Sequence, residues 1–391
     1  MAKAETVSSN PETERNRVPL LKSLVWLLAF LLIVLAISFS RSLQPNSVLF
    51  SNDAPLGLSV SQEKTVSQNF SGGWQPLNWL GIETPSALPN VTYAFFLSTG
   101  ALLYAKFFVP FTLLLLGLCV WFFFRRLGFS SQTGVLAAIA AALNTDPFSM
   151  ACWGLAAIVI AIAGAFAALG MMASGHEKQN WIKYCLAGAC IGMSVMEGYD
   201  VGAILSLYVA AFVMYQAWVE QKSGAKSIIK GATRIALVAG FSGFLAASAL
   251  STLIGTQIKG IVGTEQDSES KERRWNEATL WSLPPIETLR VIVPGLFGYR
   301  MDTAEGGNYW GAVGQQPGWE QHHQGQARHS GTGIYAGVLV ALVGGWALFR
   351  SFQRPDLAFS ETDRKFIWFW SSVALISLVL AFGWHTPFYR I

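Results

Sequence analysis

The chain carries its apolar residues in blocks of about 20, the length of helix that crosses a hydrocarbon core roughly 30 Å thick. The first block runs from Leu24 to Phe39, and others follow at about 105–124, 132–144, 153–173, 182–196, 202–219, 234–255, 332–349 and 366–384. In lipid each backbone N–H and C=O has to find its partner within the protein, so blocks of this kind fold as helices. The spacing therefore predicts an all-α, polytopic helical membrane protein with about nine transmembrane helices. Only 13% of the residues are charged, against 52% hydrophobic, a balance that a soluble domain does not have. Block 132–144 is short enough to tilt or re-enter. The apolar stretch 91–104 is expected to lie in the interface or to extend the second span.

Residues 1–18 read as a polar N-terminal tail, and 19–391 as one polytopic membrane domain. The first apolar block is longer than the hydrophobic region of a signal peptide and ends in Ser40-Arg41-Ser42-Leu43-Gln44, without a small-x-small cleavage site. It is expected to stay as a membrane anchor. Arg15, Arg17 and Lys22 precede it and predict a cytoplasmic N-terminus. On the same assignment Arg125, Arg126, Lys178, Lys183, Lys222, Lys226, Lys230, Arg234, Arg350, Arg354, Arg364 and Lys365 all face the cytoplasm. The short loops at 145–152 and 197–201 carry no lysine or arginine. The net charge of +4 follows from this topology and does not indicate nucleic acid as a partner.

Cys119, Cys152, Cys185 and Cys190 sit in or beside apolar segments with no CxxC pair, and read as packing residues. The topology leaves two long outer segments, about 41–90 and 256–331, and gathers Asp53, Asp146, Glu197 and Asp200 at the outer face. Asp53 lies in Ser51-Asn52-Asp53-Ala54-Pro55-Leu56-Gly57, where turn-forming residues could hold its carboxylate or where it could simply cap a turn. Asp146, in Asn144-Thr145-Asp146-Pro147, reads as a helix cap that could also line a cavity with Asp53. Glu197 and Asp200 are three apart around Gly198 and either share a face toward a substrate or cation or form a plain outer turn.

The outer segments also hold aromatic and glycine-rich patches: Trp74 in Gly72-Gly73-Trp74-Gln75, and Tyr309, Trp310, Trp319 and Arg328 beyond Pro294 to Arg300. Aromatic rings stack on sugars and arginines pair with phosphate, though such rings also form interfacial belts. Adjacent His322 and His323 do not converge as an i,i+4 pair does, and no metal site is expected of them. Neither GxSxG, nor a P-loop, nor a strand-linked GxGxxG occurs. Work at an outer face then calls for a donor already carried across the membrane, which a lipid-linked donor is.

An aspartate after the first span, an outer loop with Gly72-Gly73-Trp74-Gln75-Pro76-Leu77, many spans, and the later run Ala381-Phe382-Gly383-Trp384-His385-Thr386-Pro387-Phe388-Tyr389 resemble bacterial YfhO-type proteins of the GT-C glycosyltransferase class. The resemblance implies inverting transfer of a sugar from a polyprenyl-phosphate-linked donor to an extracytoplasmic glycan or lipid acceptor, in the bacterial cytoplasmic membrane. It carries the role of base over to Asp53 alone. By topology, Asp146, Glu197, Asp200, Arg300, Arg328, Trp74, Tyr309 and Trp310 are the candidates for substrate binding. Arg300, Arg328 or an Mg or Mn ion held by the acids could stabilise the leaving phosphate. Members of that class continue through further spans, so a fragment, a short paralogue or half of a split system is also expected. The other reading is a multispan transporter or lipid-linked sugar flippase, with the acids along an ion path.

Overall fold

The computed structural model describes residues 20–64, 73–75, 82–84, 89–173, 180–221, 224–253, 268–298, 308–322, 335–353 and 359–390. Helix α1 (Leu20–Ser38) is followed by the short α2 (Leu56–Glu63) and a ribbon of two strands, β1 (Gly73–Gln75) and β2 (Ile82–Thr84), paired antiparallel with Trp74 opposite Glu83. Then come α3 (Val91–Arg126), α4 (Ser131–Ala142), α5 (Thr145–Met150), a π-helical turn at Ala151–Leu155, α6 (Ala156–Ala173), α7 (Asn180–Glu197), α8 (Tyr199–Gln221), α9 (Ala225–Leu245) and α10 (Ala247–Leu253). The rest of the chain forms α11 (Ser268–Ala278), a 3-10 turn at Pro285–Val291, α12 (Trp319–His322), α13 (Val338–Ser351), α14 (Glu361–Ala381) and two further 3-10 turns to Arg390.

The fold is thus, among the described residues, helical apart from the small ribbon. Among the described residues six helical segments are long and apolar enough to cross a bilayer: α1, α3, the run from α5 through α6, α8, α9 and α14. They mark an integral membrane protein. The other expected spans correspond to α4 and α13, apolar but of 12 and 14 residues, and to α7, of 18 residues. The chain separates into two compact units rather than one body: Met1–Leu143, Met150–Ala217 and Gly224–Leu253 form the first, and Asn144–Ser149, Trp218–Ser223 and Ile254–Ile391 the second.

Small residues let the helices of the first unit approach closely, which is how helices associate where lipid offers no hydrophobic drive. Gly188 and Gly192 make a GxxxG stripe on α7 against α9, with a Cβ at Gly188 falling 2.6 Å from Phe241 Cβ and 2.7 Å from the Val238 carbonyl. Gly164 of α6 meets Cys190 and Ser194 of α7, and Gly170 meets Phe122 and Phe123 of α3. Leu27, Leu31, Trp121, Ala138 and Ala142 close a core between α1, α3 and α4.

Helix α3 is not one rod. Gly100 takes φ 73° and ψ 170°, a conformation that glycine tolerates and other residues avoid. The rings of Phe95 and Phe111 lie 4.9 Å apart, and those of Phe96 and Tyr104 5.1 Å apart. On a straight helix sixteen residues would separate Phe95 from Phe111 by about 24 Å. Residues 91–99 therefore fold back alongside 101–111, so of the two placements expected for this stretch, in the interface or as an extension of the second span, a straight extension is not what forms.

In the second unit α14 starts with a capping box between Ser360 and Asp363. Arg364 donates to the Ser351 carbonyl (2.6 Å) and Trp368 to Ser351 Oγ (2.9 Å), fastening α14 to the end of α13. Gly188→Leu should overpack the first unit, with an expected loss of about 1–3 kcal/mol measured as a lower unfolding midpoint in detergent.

Candidate functional site

The segment carrying Asp53 is fastened to a break in a membrane helix. At Ala151–Leu155 the helix widens into a π turn, and Gly154 takes φ 119° and ψ 3°. Such a turn disturbs the i to i−4 ladder and leaves carbonyls that need other donors. The Asp53 N–H donates to the Trp153 carbonyl (3.0 Å), and Ser51 Oγ donates to the Cys152 carbonyl (2.9 Å). Ser51 is buried, while the Asp53 side chain stays exposed. The backbone of Asp53 is held and its carboxylate is exposed. Gly154 makes this fit possible, since a Cβ there would lie 2.7 Å from Ala54 N and 3.1 Å from Asp53 Cβ.

A cation that sequence reasoning passes over belongs to the same unit. Lys106 of α3 is only 7% exposed, and its ammonium donates to the Gln44 and Pro45 carbonyls just beyond α1. In the sequence it stands at the edge of an apolar run and reads as a flanking charge. The available signal was that apolar residues, 91–104 and 107–124, flank it on both sides.

Glu197 is buried at the end of α7 and joined to the start of the folded-back limb of α3. One carboxylate oxygen accepts from the Thr92 N–H (3.0 Å) and the other from the Thr92 hydroxyl. Asn90 accepts from the Tyr93 N–H (2.8 Å) and donates to the Met196 carbonyl (3.2 Å). A carboxylate over free N–H groups at a helix start is favourable in charge and hydrogen bonding. Glu197 thus has a structural occupation as a cap. Asp200 is exposed and accepts from its neighbour Val201 N–H (2.8 Å), so the two acids expected to share a face have different environments.

Asp146 lies in the second unit, whereas Asp53 lies in the first. The cap of α5 is Asn144 rather than Asp146: Asn144 Oδ1 accepts from the Asp146 N–H (3.0 Å). Arg300 and Arg328 fall outside the described residues, as does His323, and Trp74 lies in β1. His322 turns its ring to the Pro317 carbonyl (2.8 Å).

Tyr309 and Trp310, adjacent in sequence, face different surroundings. The Tyr309 hydroxyl lies 3.0 and 2.9 Å from the two oxygens of Glu287, a fully buried carboxylate that also accepts from the Ala312 N–H (2.7 Å). Arg290 Nη1 stands 3.3 Å from Glu287 without hydrogen-bond alignment, and its guanidinium lies over the rings of Tyr309 (5.4 Å) and Phe297 (5.9 Å). Burial, opposed by the Val313 N–H and helped by the Glu287 carboxylate, pushes the Tyr309 phenol well above its usual range, so it remains a donor to Glu287. Tyr309 therefore holds the second unit's polar core together. Trp310 rests against Phe297 (ring centroids 4.6 Å) and is 66% exposed, the one of the pair available for stacking on a ligand. Neither Glu287 nor Arg290 stands out in the sequence, because an acid and a base three apart are common on helices.

Among the described residues no group of three or more His, Cys, Asp or Glu converges as a metal site. No family model, no curated protein and no solved structure matches the chain. What the sequence and fold define is a class, an integral membrane protein of long apolar helices, with an exposed carboxylate on a fastened loop in its first unit.

Gly154→Ala is expected to release that loop, seen as faster hydrogen exchange at the Asp53 amide than in the unchanged protein. A second outcome concerns His385. Burial lowers its pKa below the ordinary value of 6.5, while Glu287 opposes that shift. The folded chain resists protonating it and the unfolded chain does not, so stability is unaffected above that ordinary value and falls as pH drops below it. Thermal unfolding at about pH 7.5 and about pH 5.5 should show a drop that is smaller in His385→Asn.

Proposed function

We propose that this chain is a membrane glycosyltransferase of the GT-C class, resembling YfhO-type proteins, that uses Asp53 as its base at the extracytoplasmic face of a bacterial inner membrane. The observation that carries this reading is the Asp53 segment, whose backbone is fixed to the π turn while its carboxylate is exposed. Catalysis by a carboxylate needs such positioning, because a base must stand within hydrogen-bond reach of the proton it removes. Irregular turns inside helices also recur at functional sites.

In the proposed reaction the acceptor hydroxyl attacks the anomeric carbon of a polyprenyl-phosphate-linked sugar. The new C–O bond forms as the bond to the phosphate oxygen breaks, the hydroxyl proton passes to Asp53, and the lipid phosphate leaves with the electron pair. Inversion follows from attack on the face opposite the leaving group. Trp310 is the exposed ring suited to stack on a sugar. A bound Mg or Mn ion is not required by this scheme, since the charge on the leaving phosphate can be met by protein cations. The partners are the lipid-linked donor, the membrane lipids and an envelope glycan or lipid acceptor.

A transporter would use Glu197 as a site along an ion path. Both of its oxygens are engaged by Thr92, which favours the catalytic reading. Asp53→Asn should abolish glycan labelling in membranes while expression is unchanged, a drop of about 10²–10⁴-fold for loss of a general base. Labelling at the original level would remove the enzyme reading. Proteoliposome flux of a lipid-linked sugar that survives this substitution but needs Asp200 would favour transport.

A further inference from the structure

Lys106 is a buried cation held by backbone carbonyls. Among the described residues it forms no ion pair with a carboxylate, and two carbonyls, of Gln44 and Pro45, receive its ammonium. An ammonium has three donors, so among the described residues one remains unassigned. Burying a charge without a counter-charge is costly, and within membrane segments such residues usually serve a ligand or a partner.

Its depth indicates which kind of anion. Arg125 follows nineteen residues later on the same helix, close to the other end of α3. Nineteen residues of helix rise about 28 Å, close to the roughly 30 Å of a hydrocarbon core. With Arg125 and Arg126 at one headgroup layer, Lys106 stands at the other. Helix α1, of 19 residues, agrees with this depth, close to one bilayer crossing. Gln44 and Pro45 are exposed, so the ammonium lies directly beneath a turn at the membrane surface.

We propose that Lys106 binds the phosphate headgroup of a membrane lipid, one phosphate oxygen taking the donor that the two carbonyls leave over. Ammonium and phosphate at this depth form a charge-assisted hydrogen bond away from bulk water, where such bonds are strong. The site rests on the membrane-spanning reading and does not depend on Asp53 acting as a base. If the proposed transfer takes place, the same site would receive the phosphate of the donor lipid.

The test uses the whole purified chain in neutral detergent, with native mass spectrometry reading the bound lipid. Phosphatidic acid is expected to bind at least about tenfold more tightly than diacylglycerol with the same acyl chains, a difference of about 1.4 kcal/mol. Lys106→Gln should remove that preference and Lys106→Arg should keep it, while Asp53→Asn should leave it unchanged even though transfer is lost. Equal binding of the two lipids by the unchanged protein overturns the proposal, and this comparison needs no variant, so a misfolded Lys106→Gln does not protect it. A preference that persists in folded Lys106→Gln also overturns it. Displacement of phosphatidic acid by equimolar inorganic phosphate would make the ligand a free anion and reject the lipid. Polyprenyl phosphate binding more tightly than phosphatidic acid supports the proposal with a lipid-linked donor as occupant, and equal binding supports it with membrane phospholipid as occupant.

Discussion

Backbone hydrogen bonds interrupted inside an apolar bundle have to be completed by something other than water, and in the first unit that requirement determines where chain meets chain. The π turn at Ala151–Leu155 is completed by Ser51 and Asp53, and the free start of the folded-back α3 limb by Asn90 and Glu197. Lys106 performs a related task for the carbonyls that follow α1. In hydrocarbon an unmade bond of this kind costs several kcal/mol, far more than at a wet surface. The π turn and the start of α3 therefore each come with a specific partner that places a polar residue beside the apolar helices.

This changes how the acids are understood. Asp53 is exposed on a fixed backbone, as the proposed base would have to be. Glu197 has the saturation of a structural group, although both were equally suspect as charges beside apolar helices. The same division separates Trp310 from Tyr309 in the second unit, where Glu287 uses the tyrosine hydroxyl and leaves the tryptophan outside. Chemical type identified the candidates in both pairs. Hydrogen-bond saturation separated them.

The helices themselves were legible because a 3.6-residue fold in lipid has no other way to satisfy its backbone, and block length placed most of them, although α9 runs over Ala225–Leu245 rather than 234–255. Their departures from straightness were harder to read. Gly100 and Gly154 look in sequence like any glycine of an apolar helix, and only the ring pair Phe95 and Phe111 and the approach of Ala54 reveal what they do. Lys106 stood at the rim of its block, where a lysine normally reaches outward to water. Its burial depends on the segment after α1 returning over it, a contact between residues more than sixty apart.

By itself the sequence determined that this chain belongs in a membrane, where most of its helices lie, and which acids and aromatic residues were unusual enough to consider. Those conclusions follow from composition and period, which are local. The tertiary structure decided that Asp53 is held and exposed, that Glu197 and Tyr309 are occupied, and that Lys106 is buried with no acidic partner among the described residues. A hydrogen bond between distant segments leaves no periodic trace in the chain, so these assignments came only from the fold that brings the segments together.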